Sequence, residues 1–186
     1  MIIFIRHGEA EHNIAFHEKG PSIFSDPAYT DPPLTELGHT QAYEAGIEIA
    51  KNHGIEFNSV WCSPLTRCIQ TALEVTKTIS VEKMFLHDNL VEVLSETCTC
   101  NRRKEKRFLM DLYSEFNMTL LPETPSTWLG HESAPHVKLR MSMIFHCLQH
   151  LRGNHLIVTH HDALFEILRS SFKNAEFRVI SRLVNH

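Results

Sequence analysis

Met1-Ile2-Ile3-Phe4-Ile5-Arg6-His7-Gly8-Glu9 opens the chain with an unbroken apolar run that ends in a guanidinium and an imidazole. A short run that is apolar at every position reads as a buried strand of the kind found in parallel sheets covered by helices. Open α/β sheets keep their chemistry at the carboxyl ends of such strands, which is where Arg6 and His7 fall. An arginine offers a planar fork to phosphate oxygens, and an adjacent neutral histidine can carry a phosphoryl group as a nucleophile. Arg6-His7-Gly8-Glu9 therefore suggests phosphoryl transfer through a phosphohistidine, although four residues alone are a short motif.

Downstream, strand patterns alternate with amphipathic helices. Leu37, Gln41/Ala42, Ala45 and Ile49 recur at helical spacing, with Thr35 placed as N-cap and Gly54 just past the end. Phe57 to Cys62 reads as a second strand. Ser63-Pro64 then supplies a cap and a first-turn proline for a helix with its stripe at Leu65, Cys68/Ile69, Ala72, Val75 and Ile79. Met84-Phe85-Leu86 is a short strand candidate. Val137, Met141, Ile144/Phe145, Leu148 and Leu151 mark a long helix stopping near Gly153. The strand Leu156-Ile157-Val158-Thr159 follows, then a helix capped by Asp162 with Leu164, Ile167 and Leu168 inward, and a last strand from Phe177 to Ile180. This alternation predicts an α/β fold, a three-layer α/β/α sandwich around a mainly parallel sheet.

The 186 residues, 42% hydrophobic and 22% charged, have the composition of one compact domain, and no repeat, linker or low-complexity tract divides residues 1–186. A net charge of -4 argues against bulk attraction to nucleic acid. Five cysteines, an odd number, fit reduced thiols better than a disulfide framework. The N-terminal apolar run is too short for a signal-peptide core, and no other run approaches the length of a membrane span. The expectation is a cytoplasmic protein whose partner is a phosphorylated substrate, without nucleic acid or membrane.

Two segments break the pattern. Residues 14–34 hold Pro21, Pro27, Pro32 and Pro33 and read as a loop, a rim or lid over a site. Residues 95–135 combine Arg102-Arg103-Lys104-Glu105-Lys106-Arg107 with a helix pattern through Phe108, Leu109, Leu112 and Phe116. The basic cluster fits a solvated helix face and an anion-binding role equally well. Both segments are expected to shape specificity. Arg67, His160 and Glu92 each follow a strand candidate or a short apolar pair, and a parallel sheet would bring them to the edge that carries Arg6 and His7.

Five ordered fragments resemble the histidine phosphatase superfamily, with its phosphoglycerate-mutase-like fold. They are Arg6-His7-Gly8-Glu9 with Asn13; Leu34-Thr35-Glu36-Leu37-Gly38 with Gln41-Ala42; Ser63-Pro64-Leu65-Thr66-Arg67 with Gln70-Thr71-Ala72; Leu90-Val91-Glu92; and Val158-Thr159-His160. The resemblance implies that His7 attacks phosphorus, that Arg6, Arg67 and His160 surround the nonbridging oxygens, and that Asn13 adds a donor. It makes Glu92 the general acid, then the base that activates water, a task that calls for a raised pKa. Glu96 and Asp88 are weaker candidates for that carboxyl. No metal and no cofactor are implied, because a fixed cationic cage stabilises the charge on the equatorial oxygens.

Other histidines and cysteines carry no diagnostic spacing. His146 and His150 lie one helical turn apart without a third ligand, neither His7 to His12 nor His131 to His136 has a zincin gap, and Cys98-Thr99-Cys100 reads as a thiol pair. Two departures from the family pattern bear on specificity. His161 stands where glycine is common, and is expected either to bring an imidazole toward the pocket or to force a different backbone angle. Ala10 stands where mutases usually carry serine. With the short chain, Ala10 favours a phosphatase over a mutase; a silent phospho-ligand-binding module is the reading outside catalysis.

Overall fold

Strand β1 (Ile2–Arg6) sends alternate side chains into two separate cores, Ile3 and Ile5 into one and Ile2 and Phe4 into the other. The computed structural model describes residues 1–126 and 130–180; residues 127–129, inside the 95–135 segment, and 181–186 lie outside the described residues. Strands β2 (Glu56–Cys62), β3 (Ser80–Leu86), β4 (Phe116–Asn117), β5 (His155–Thr159) and β6 (Phe177–Val179) complete a sheet in the order β4-β3-β2-β5-β1-β6. Every pairing is parallel except that of β1 with β6. The register sets Arg6 beside Thr159 and Cys62 beside Val158 and Leu86, so four strands end at nearly the same level.

The described helices are α1 (Glu11–Lys19), α2 (Glu36–His53), α3 (Thr66–Thr76), α4 (Lys106–Leu112), α5 (Ala134–Gln149) and α6 (His161–Leu168). One core joins Ile3, Ile5 and Val158 to Ile49 of α2, Ile69 and Val75 of α3, and Leu109 of α4. The opposite core joins Phe4 and Ile157 to Met141 and Phe145 of α5 and Leu164 of α6. This is the three-layer α/β/α arrangement expected from the alternation of strands and helices.

Several local expectations are corrected. Residues 14–34 are not a bare loop: α1 runs to Lys19, and Pro21 and Pro27 each begin a short 3-10 helix, Pro21–Ser25 and Pro27–Tyr29. Proline tolerates a first helical position because its missing N–H has no partner there. The helix pattern through Phe116 stops at Leu112, and Phe116 enters β4 at the sheet edge. Leu37 is 53% exposed, because α2 turns its small residues Gly38, Ala42, Ala45 and Gly46 inward instead. Ile180 and Leu151 fall just outside their elements, whereas β3 is longer than Met84 to Leu86.

Candidate active site

The carboxyl ends of β1, β2 and β5 open on a cleft of about 1150 Å³. His7 follows β1 directly and is 2% exposed. Its Nδ1 lies 2.7 Å from the Gly8 carbonyl, an acceptor, so Nδ1 carries the proton and Nε2 keeps a free lone pair. Burial, then the charges of Arg67 and Arg6, push its pKa well below the usual histidine value, which keeps the ring neutral. The loop behind it is clamped by the other motif residues. The Gly8 N–H donates to Thr71 Oγ1, the Glu9 N–H to Gln41 Oε1, and Thr35 bridges Glu9 to the start of α2.

Arg6 and Arg67 both line the cleft. Arg6 Nη1 donates to the Phe172 carbonyl at 2.7 Å; Arg67 donates through Nη1 to the Cys100 carbonyl and through Nη2 to Asn101 Oδ1, each at 2.9 Å. Their Nε atoms are buried without a partner, and so is Nδ1 of His12, a third cleft residue. Buried donors are almost always satisfied. Three unsatisfied nitrogens around one nucleophile-bearing cleft describe a seat for an anion.

Arg67 is carried by the first turn of α3, whose start differs from the expected Ser63-Pro64 cap. The helix begins at Thr66, and Asp31 caps it from afar, accepting from the Thr66 N–H and hydroxyl at 2.7 Å each. The Ser63 hydroxyl accepts only a long bond from the Leu65 N–H, at 3.5 Å, and lies 2.7 Å from His160 Nε2. His160 is fully buried behind His7, with ring centroids 5.2 Å apart and Cys68 Sγ 3.4 Å from its Nε2. It is not among the described residues that line the cleft.

Glu92 lines the cleft and performs the capping task expected of Asp162. Helix α6 starts at His161, two residues earlier than a cap at Asp162 would set, and its Asp162 and Ala163 N–H groups donate to the Glu92 carboxylate at 3.1 and 2.8 Å. The Val93 N–H adds a third bond. Burial, reinforced by the nearby charge of Asp162, raises the Glu92 pKa against the pull of these donors. The rival carboxyls are occupied differently: Asp88 forms an ion pair with Arg103 at 2.7 Å, and Glu96 accepts from the Gly130 N–H.

Asn13 lines the cleft with its Oδ1 accepting from the Ala10 N–H and its Nδ2, 3.4 Å from His12 Nε2, donating to that ring, which puts the His12 proton on Nδ1. Of the two expectations for His161 the first holds: it lines the cleft, its ring 2.7 Å from Asp162 and 3.0 Å from Ser171, while its backbone is ordinary as the first helical residue of α6. The basic cluster is divided: Arg102, Glu105 and Arg107 are exposed, as a solvated face requires, whereas Arg103 is buried. Arg103 is buried with Asp88, Lys104 pairs with Asp31, Lys106 with Glu123 and Arg107 with Glu105, and none of the six residues lines the cleft. Cys98 and Cys100 are free thiols with sulfurs 3.2 Å apart; the hydrogen bond from Cys100 pulls the Cys98 thiol down to about 7. Among the described residues no group of three or more His, Cys, Asp or Glu is placed to hold a metal ion. None of the described helices is long and apolar enough to cross a membrane.

Sequence reasoning missed His12 and Asn101. In the sequence His12 figures only as one end of a spacing that lacks the zincin gap, yet it sits in the first turn of α1, buried, with its ring centroid 6.0 Å from that of His7. Burial and the two arginines push its pKa down to about 2, so it too stays neutral. Its signal was its position, five residues after His7. Asn101 had no sequence signal, because its partner is 34 residues away.

Comparison with known proteins agrees with this geometry. A 70-residue stretch is 40% identical to the 2,3-bisphosphoglycerate-dependent phosphoglycerate mutase of Lactococcus lactis subsp. cremoris, covering 38% of this chain and 26% of the mutase. The corresponding enzyme of Bartonella tribocorum is 34% identical over 74 residues, 40% of this chain and 32% of the enzyme. The matched stretch thus spans only about a quarter to a third of the length of these curated relatives. Among solved structures, the ecdysone phosphate phosphatase of Bombix mori aligns with a TM-score of 0.66 at 18% identity, over 89% of this chain and 74% of that one. A phosphoglycerate mutase from Thermus thermophilus aligns with a TM-score of 0.56 at 21% identity, over 100% of this chain and 99% of that one. At such identities the likeness is one of fold. The sequence profile of the histidine phosphatase superfamily (branch 1) matches residues 2–183, and the chain belongs to that superfamily.

Proposed function

We propose that this protein is a metal-independent phosphatase that hydrolyses a phosphate monoester through a phosphohistidine on His7. The observation that carries the reading is the neutral, Nδ1-protonated His7 set among the unsatisfied donors of Arg6, Arg67 and His12. In the first step His7 Nε2 bonds to phosphorus while the ester P–O bond breaks, and the Glu92 carboxyl gives its proton to the departing oxygen. In the second, the Glu92 carboxylate takes a proton from water, the water oxygen bonds to phosphorus, and the P–N bond breaks to free phosphate and restore His7. Arg6 and Arg67 hold the equatorial oxygens with fixed charge through both steps, and Asn13 and His12 donate to the same group. His160, edge-on behind His7, fixes the orientation of the nucleophile's ring.

Incubation with p-nitrophenyl phosphate in the presence of a chelator tests this. Steady release of phosphate and an acid-labile phosphoprotein are expected, with His7→Ala lowering turnover by at least about 10³-fold. Absence of both from the wild-type protein overturns the proposal. The 40% identical stretch supports a second reading, a phosphomutase, for which phosphate moves between hydroxyls of one substrate with little released. Chain length does not choose between them, since the Thermus mutase is matched over 99% of its own length. Ala10 in place of the serine usual in mutases is the sequence feature that favours hydrolysis.

A further inference from the structure

Away from His7 the cleft changes character. Among its described lining residues Arg6 and Arg67 are the only arginines or lysines, and both serve the phosphate end. The acidic groups Glu92, Asp162 and Glu166 also line the cleft. Glu132 joins them but is bound to Arg140, whose guanidinium is further occupied by the carbonyls of Asn89, Val91 and Glu92. The basic segment 102–107, the one stretch of sequence capable of holding a second anion, is taken up by ion pairs and a backbone carbonyl outside the cleft. A second carboxylate or phosphate on the substrate would meet Asp162 and Glu166, which are paired with His161 and Arg169, and the histidines His17 and His131, with no lysine or arginine beyond Arg6 and Arg67 among the described lining residues to hold it.

Three phenyl rings stand in the remaining wall, interspersed with serines, asparagines and histidines. Phe16 of α1 stacks on Phe24 with ring centroids 5.3 Å apart, and Phe165 of α6 lines the same cleft. Phe16 and Phe165 remain 40% and 42% exposed and, with Phe24, give this part of the cleft apolar surface open to a ligand. The volume of about 1150 Å³ exceeds what a phosphate and a three-carbon body would fill.

We propose, building on the hydrolytic reading of this cleft, that the substrate is a monoester of a bulky, uncharged aromatic or polycyclic alcohol. Phe16, Phe24 and Phe165 seat the alcohol while Arg6 and Arg67 hold the single phosphate.

Three alkyl monoesters with similar leaving-group basicity separate recognition from reactivity: 2-(2-naphthyl)ethyl phosphate, ethyl phosphate and 3-phosphoglycerate. The expected kcat/KM is at least about tenfold higher for the naphthyl ester than for ethyl phosphate, with 3-phosphoglycerate the poorest, since each tenfold step needs only about 1.4 kcal/mol. Phe16→Ala/Phe24→Ala reduces the naphthyl-to-ethyl ratio toward one, and Phe165→Ala, on a different element, reduces it independently. The wild-type comparison decides even if a variant does not fold. Equal values for the naphthyl and ethyl esters, or a preference for 3-phosphoglycerate, overturn the substrate class while hydrolysis stands. No hydrolysis of any ester, including p-nitrophenyl phosphate, overturns the hydrolytic reading and this inference together.

Discussion

The Gly8 carbonyl decides which nitrogen of His7 is available, and burial decides that the ring is uncharged. Its lowered pKa means that the proposed nucleophile stays unprotonated at a pH where an ordinary histidine already takes up a proton. Glu92 acts in the opposite sense: with its pKa raised, the carboxyl holds its proton into weakly acidic solution and loses it as pH climbs. A plot of kcat against pH is therefore expected to fall on the alkaline side, and Glu92→Gln should abolish that limb. The same substitution should slow an alkyl ester by about 10²–10⁴-fold, but p-nitrophenyl phosphate by less, because its leaving group needs little protonation. An alkaline limb that persists in Glu92→Gln assigns the proton to another group. His12 was not legible in this role, since its importance comes from the turn of α1 that folds it back toward His7.

Among the elements, the junction of β1 with α2 is a close backbone-to-backbone approach. A Cβ on Gly8 would lie 2.4 Å from the Gly38 carbonyl oxygen, and one on Gly38 would lie 1.9 Å from that of Glu9. Both obstacles are backbone, so Gly38→Ala should destabilise the protein by more than about 2 kcal/mol, read as a lowered midpoint of urea unfolding. The start of α3 depends on Asp31, which accepts two bonds from Thr66 and pairs with Lys104 at 2.8 Å. Asp31→Ala should cost about 1–3 kcal/mol by the same measurement and weaken phosphate binding, since Arg67 rides on that first turn. Helices α2 and α5 were legible because their apolar residues recur within single turns. The caps of α3 and α6 were not, because Asp31 and Glu92 reach them across 35 and about 70 residues, a distance over which no local pattern operates.

At the scale of the whole molecule, His7, His12 and His160 are buried uncharged, each with a lowered pKa. Unfolding frees them to bind protons near their ordinary value of about 6.5, so the unfolded state gains protons that the folded state refuses. Stability contributed by these groups is complete above that value and is lost as pH falls below it, by up to about 1.4 kcal/mol per pH unit for each. Melting temperatures measured from pH 7.5 to 5 should decline, and His12→Phe should decline less steeply. The sheet and its two cores could be read from apolar periodicity, whereas the fate of the basic segment could not, because Asp88 and Asp31 join it only in three dimensions. One consequence concerns how such a site diversifies. Arg67 hangs from the Cys100 carbonyl and the Asn101 side chain, inside the segment that also walls the cleft. Remodelling that wall for a new alcohol moves the anchor of the cationic cage, so substrate range and catalytic rate are inherited together unless Cys100 and Asn101 are kept in place.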